Sequence, residues 1–278
     1  STCIDIEDRY YDSKWTELKD KPIETRKLYH PDLPNSQGSV IMWIEVGEQK
    51  GKKTIEDWDI RLPPVNLFQM RLVVWKTRDI PMMDVEETSD VYVAAFIDPK
   101  NSQTTDTHFR CTNGEASFNW RILETIEYHP KLQNTNLNIQ VYDKDLFASD
   151  DYICCASLNL KQFLQQIYDL DMPFSFTKSN FKNLEQQEEL KKLVEWESDT
   201  EFWLNCTKLE ADGTVTKAGS VLCSLEILPM WKADQVKVGK GRDEPNCNPF
   251  LPPPIGRIRF SLNPFVLIGQ LVGPRIRN

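Results

Sequence analysis

Between about residues 66 and 229, apolar side chains return at every second position in short runs, the signature of strands with one buried face. Phe68, Met70, Leu72 and Val74 share one side of such a run, with Gln69, Arg71 and Val73 between them. Val91, Val93, Ala95 and Ile97 form a second set. Leu137, Ile139 and Val141 form another, with Asn138 and Gln140 outward. Phe202, Leu204 and Cys206, then Val221, Cys223, Leu225 and Ile227, complete the regular sets. Less regular runs lie near 106–112, 117–122 and 152–159. The total is eight strands, the count of an all-β, antiparallel sandwich of two four-stranded sheets.

Two stretches break this period. Leu160–Leu170 follows the sixth strand, and Phe181–Trp196 places Phe181, Leu184, Leu193 and Trp196 at near-helical spacing among Glu and Lys. Both fall in one helical insertion, at about 160–200, between strands six and seven. A solvated surface excursion is expected there, because long surface loops cost little extra entropy. An internal echo precedes the domain: Gly38–Val46 (GSVIMWIEV) resembles Gly219–Ile227 (GSVLCSLEI), and Cys3–Ile6 resembles Cys155–Leu158. Repetition of this kind implies tandem units. The organisation read from the chain is residues 1–48 as the last strands of a preceding related unit, and 49–65 as a linker holding Pro63-Pro64. The complete domain takes 66–230. An extended, proline-rich strap, including Pro252-Pro253-Pro254, takes 231–278.

Composition narrows the function classes. The net charge of −9 argues against a general nucleic-acid binder. Seven cysteines at irregular spacing, with no CxxC pair and three scattered histidines, argue against a zinc site or a disulfide framework. A reducing, cytosolic compartment is expected. The first residues do not read as a signal peptide. No apolar run reaches membrane-span length; Phe265–Val272 is short and is followed by Pro274-Arg275-Ile276-Arg277. The abrupt end is what a segment excised from a longer protein would show. No G-x-S-x-G elbow, P-loop or His-Glu-x-x-His is present, so no enzyme is expected.

The residues that point to chemistry are acidic. Asp143-x-Asp145-x5-Asp151 follows a strand directly, and Asp84 and Asp90 bracket the segment before the next strand. The first set is not an EF-hand loop, since Phe147, Ala148 and Cys154 occupy that loop's fifth, sixth and twelfth places. Loops of a sandwich gather at its ends, so the two clusters can meet. Two carboxylates ~4 Å apart repel by about 4 kcal/mol at a surface-like dielectric, and a hard divalent cation with all-oxygen ligands would relieve this. The bland alternative is a solvated acidic turn.

Ser89-Asp90-Val91-Tyr92-Val93, with Asp84 six residues before Asp90, resembles the first calcium loop of C2 domains, and Asp143-x-Asp145-x5-Asp151 resembles their third. The flanking motifs Thr107–Arg110, Gly114–Arg121 and Gly241–Asn246 resemble the last C2 domain of ferlins; Glu24–Tyr29 with Gln37-Gly38 resembles the end of the preceding one. This resemblance implies a C2 sandwich of type II topology, with the first calcium loop joining strands one and two. It implies calcium held by Asp84, Asp90, Asp143, Asp145 and Asp151, with backbone carbonyls of Met83 and Lys144 assisting. It further implies docking on an anionic phospholipid membrane, vesicle-fusion proteins as partners, and a tail-anchored parent on the cytosolic face of a vesicle or plasma membrane, acting in vesicle fusion or membrane repair. The segment Tyr10–Asp32 is shorter than in the animal members, a departure from the pattern.

Two further surfaces follow. Met82, Met83, Val85, Leu146 and Phe147 at the loop tips are candidates for insertion among lipid headgroups, with ordinary loop packing as the alternative. Lys100, His108, Arg110 and Arg121 are candidates for headgroup binding, with scattered surface charge as the alternative. Trp75, Trp120 and Trp203 read as packing residues. Competing with the calcium-dependent membrane module are a protein-interaction C2 domain with a structural or vestigial calcium site, and a regulatory piece of a lipid-modifying enzyme.

Overall fold

The computed structural model describes residues 24–33, 35–42, 44, 64–83, 88–131, 134–145, 149–182, 188–242 and 250–258. The chain divides into two compact units, Ser1–Arg61 and Leu62–Asn278. In the first unit, β1 (Glu24–Lys27) and β2 (Ser39–Met42) form an antiparallel hairpin, with Thr25 opposite Ile41. Ile41 is 70% exposed. The rest of the expected strand, from Trp43 and Glu45 onward, lies outside the described residues, as do Cys3–Ile6.

The second unit carries the eight long strands that the alternation predicts. They are β3 (Asn66–Arg78), β4 (Ser89–Phe96), β6 (His108–Cys111), β7 (Ser117–Tyr128), β8 (Asn136–Asp143), β9 (Asp151–Asn159), β12 (Phe202–Leu209) and β13 (Val215–Pro229). Three short strands are added: β5 (Gln103–Thr104), β10 (Phe174–Ser175) and β11 (Val194–Trp196). One layer runs β6-β4-β8-β9 and the other β12-β13-β3-β7, all antiparallel. Along their edges the two layers share one ladder pair between β9 and β12, Cys155 with Thr207. The first loop joins the first and second long strands, as the type II reading requires.

The core is what the period dictates. Phe68, Met70, Leu72 and Val74 face Val91, Val93, Ala95, Leu137, Ile139, Val141, Phe202, Leu204, Val221 and Cys223, all buried. The cysteines among the described residues are free thiols, and burial pushes the Cys223 thiol above its ordinary range.

The insertion differs from expectation in two ways. First, it is not a solvated excursion. Helix α1 (Lys161–Leu170) buries Phe163, Leu164 and Ile167. Phe174 pairs with Ile227 through β10. Phe176 packs on Phe163 and Phe202, with ring centroids 5.2 and 4.6 Å apart. Aromatic pairs at this spacing add stability beyond the area they bury. Second, the stretch read as one helix is α2 (Lys178–Lys182), α3 (Glu188–Leu193) and then strand β11. Val194 pairs with Leu204 and Trp196 with Phe202, and the Trp196 ring stacks on Phe176 at 5.6 Å. Sheet pairing beside β12 overrides a helical spacing that only four residues supported.

The expected strap opens with a short helix, α4 (Met230–Gln235), at the base of β13. It then climbs along edge strand β7. Arg71, buried beneath it, donates to the carbonyls of Ala233 and Val236 at 3.3 and 2.5 Å. Gly241 bridges Arg121 in antiparallel fashion. Leu251 is buried, and Asn119 Nδ2 donates to the Pro252 carbonyl at 3.1 Å. Covering an edge strand in this way removes a row of exposed pairing groups. Among the described residues, no helix is long and apolar enough to cross a membrane.

Because Phe176 belongs to the core, Phe176→Ala is expected to destabilise the domain by about 3–5 kcal/mol. A solvated insertion would lose less than about 0.5 kcal/mol. The midpoint of urea unfolding distinguishes the two.

Candidate functional site

Three neighbouring strands bring their ends together. Val91 of β4 pairs with Asp143 of β8, and Asp143 pairs with Asp151 of β9. Asp90 therefore stands one residue from Asp143 across one ladder, and Asp151 directly opposite it across the other. Asp143 is 3% exposed, and its Oδ1 accepts the Asp90 N–H at 2.6 Å. The Lys144 N–H donates to the Asp90 carbonyl at 2.8 Å. A buried carboxylate is held by such donors or costs several kcal/mol.

The adjoining loop is tied down by a residue the sequence reading passed over. Asp150 accepts the Asp145 N–H at 3.2 Å through Oδ1 and the Tyr92 hydroxyl at 2.7 Å through Oδ2. Tyr92 stacks on Tyr142, and Tyr142 meets Tyr152 edge-on, so an aromatic row runs across β4, β8 and β9. The Tyr92 phenol is pushed above its ordinary range, first by burial and then by Asp150. On the other loop, the Met83 N–H donates to the buried Ser89 hydroxyl at 2.8 Å.

Asp90, Asp143, Asp145 and Asp151 thus gather at one end of one layer. Asp84, Val85, Leu146 and Phe147 lie outside the described residues. Among the described residues, no three His, Cys, Asp or Glu side chains form a group able to hold a metal ion. The donor chemistry nevertheless fits a hard cation: the side chains at these strand ends are carboxylates, with the buried Asp143 between its two neighbours. Met82 and Met83 are half-buried and pack against the core, the ordinary-packing alternative for those two.

The expected headgroup face is not assembled. Arg121 is 1% exposed and donates to the Gly239 carbonyl at 3.1 Å. His108 is 7% exposed, and its Nδ1 accepts the Ser117 N–H at 2.9 Å. Lys100 sits in a 3-10 turn, Pro99–Asn101, beyond the far end of β4 from Asp90. Of the four, only Arg110 stands near the aspartates. Strand alternation says which face a residue takes, not that the strap covers that face, and this is why the basic residues read as surface charge.

His108 and Arg110 belong instead to a clasp that sequence reasoning missed. Asp106 receives both Arg242 and Arg257; Arg257 donates to Asp106 Oδ2 at 2.8 Å and Oδ1 at 2.6 Å, and to the Ser117 carbonyl at 2.8 Å. Burial alone would raise the Asp106 pKa, but the two guanidinium groups outweigh it and hold the carboxyl below its usual range. Gly256 lies against the His108 ring: a Cβ there would fall 2.3 Å from Nε2, and its φ is +73°. Its carbonyl accepts the Phe109 N–H at 2.8 Å. The next residue, Arg110, has φ +56° and donates its N–H to Asp90 Oδ1 at 2.7 Å. A non-glycine residue in the left-handed region costs about 1 kcal/mol or more.

Residues 68–174 match the C2 domain family. The complete domain is therefore a C2 domain. Myoferlin of Xenopus tropicalis is 32% identical over 260 residues, covering 84% of this chain and 13% of that protein. Ferlin 2 of Toxoplasma gondii is 25% identical over 265 residues, covering 91% of this chain and 17% of that protein. The chain belongs to the ferlin family, as a C2-containing segment that spans a small part of the length of these relatives. Among solved structures, a C2 domain of plant Extended Synaptotagmin 1 aligns over 60% of this chain and 97% of that one, at 16% identity and a TM-score of 0.37.

Burial, and secondly Arg257, depress the His108 pKa below its ordinary 6.5. As pH falls through that value the unfolded chain takes up a proton before the folded one does, so stability present above 6.5 is lost in acid. Glu124, raised by burial, acts in the opposite direction at lower pH, above its ordinary 4.5. Thermal melts at neutral pH and at pH ~6 are expected to show a loss of stability that His108→Asn, which keeps an acceptor for the Ser117 N–H, abolishes.

Proposed function

We propose that this chain is a calcium-dependent phospholipid-binding module of a ferlin. The observation that carries the reading is the convergence of Asp90, Asp143 and Asp151 at the ends of three paired strands, with Asp143 buried among them. Asp84 and Asp145 complete the proposed ligand set, and the carbonyls of Met83 and Lys144 assist. When bound, calcium supplies positive charge that lipid phosphates can coordinate. The protein's own residues do the rest. Asp143 Oδ1 fixes the Asp90 backbone, Asp150 holds the Asp145 backbone, and Tyr92 anchors Asp150.

Without a cation, a carboxylate cluster at this end repels an anionic bilayer. Neutralising it removes that barrier and lets the loop tips approach the headgroups, with Val85, Leu146 and Phe147 as the proposed contacts. Kinship with ferlins extends the proposal to vesicle fusion or membrane repair, on the cytosolic face of a vesicle or plasma membrane, in a tail-anchored parent. On the same reading, residues 1–48 would be the last strands of a preceding C2-like unit and the complete domain the last one.

Asp143→Asn keeps an oxygen for the Asp90 N–H but removes a charge. It is expected to weaken calcium binding at least roughly tenfold, or about 1.4 kcal/mol, by calorimetry. Binding of the unmodified chain to phosphatidylserine vesicles is expected to vanish with a chelator. Equal sedimentation in both conditions would sink the calcium switch. It would favour the second reading, a protein-interaction domain whose aspartates are already satisfied by backbone donors.

A further inference from the structure

Asp90 is not positioned by its own strand alone. Its Oδ1 accepts the Arg110 N–H at 2.7 Å, and Arg110 holds a left-handed conformation with φ +56°. Such a conformation persists only where its neighbours enforce it. On one side, Cys111 pairs with Ser89. On the other, Phe109 donates its N–H to the carbonyl of Gly256 in the strap. The strap is fixed there by Arg257, which spans Asp106 and the Ser117 carbonyl, while His108, against Gly256, accepts the N–H of that same Ser117. These contacts form an unbroken path from Asp106 to the carboxylate of Asp90.

We infer that the strap is a positioning element of the calcium site: Asp106, through Arg257 and Gly256, holds β6 in the shape in which the Arg110 amide orients Asp90. The inference rests on the proposal that Asp90 is a calcium ligand. Asp106, Arg257 and Gly256 touch no ion themselves; they act through the backbone of residues 108–110. Linkage makes the effect reciprocal, so calcium tightens the clasp by the factor by which the clasp tightens calcium.

The test is calcium titration by calorimetry on the full chain, beside Asp106→Asn and Arg257→Lys. Asp106→Asn is expected to weaken calcium binding about fivefold or more, and Arg257→Lys, which keeps the charge but loses the fork, by less. Calcium is expected to slow tryptic cleavage after Lys240 and Arg257 in the unmodified chain but not in Asp106→Asn. A strap that only stabilises the fold would lower the melting temperature of Asp106→Asn equally with and without calcium and leave affinity within about twofold. That result overturns the inference, as does strap cleavage indifferent to calcium. Should Asp106→Asn fail to fold, Arg257→Lys carries the same comparison. A full chain that takes up no calcium removes this inference together with the proposed function, whereas intact calcium binding that ignores the strap removes only this inference.

Discussion

The register that sets Val91 opposite Asp143, and Asp143 opposite Asp151, is the constraint on which the rest depends. Side chains alternate between the faces of a strand, so a slip by one residue in β8 would turn Leu137, Ile139 and Val141 out of the core. It would also move Asp143 away from the Asp90 amide. The core and the acidic end are therefore specified together. Burying three aliphatic side chains fixes where the carboxylates stand, and the short hydrogen bond from Asp90 to Asp143 closes the arrangement.

Where one face of a strand meets the core and the other meets solvent, the sequence carries the structure openly. Phe68 to Val74 and Val221 to Ile227 alternate, and their strands lie where that period places them. The aspartate spacings were legible for the same local reason, since each set sits next to a strand end. What escaped notice was non-local. Val194–Trp196 becomes a strand because β12 offers it an edge. Arg121 and His108 read as surface residues because their cover arrives from more than a hundred positions later in the chain. Asp106 gave no signal beyond being one acid among many; its meaning depends on two arginines that only the path of the strap brings near.

The insertion and the strap do different work. The insertion adds Phe163, Phe174 and Phe176 to the hydrophobic interior, extending the sandwich without altering its topology. The strap adds little to that interior. It supplies polar contacts along β7 and ion pairs to Asp106, and it buries Arg71 and Arg121 with their donors directed at backbone carbonyls. A buried guanidinium deprived of these carbonyls would be left without its acceptors, at a cost that burial makes large.

The direction in which the strap climbs has a consequence for reach. It leaves β13 at the base of the sandwich and arrives beside His108 and Phe109, whose neighbours in β4 include Asp90. A chain leaving the base would need about eight extended residues, at roughly 3.3 Å each, only to regain that height. Here the strap is held at both heights, by Gly241 against Arg121 and by Gly256 against Phe109. The described part of the strap therefore ends beside the carboxylates, at the opposite end of the sandwich from the base where it departs.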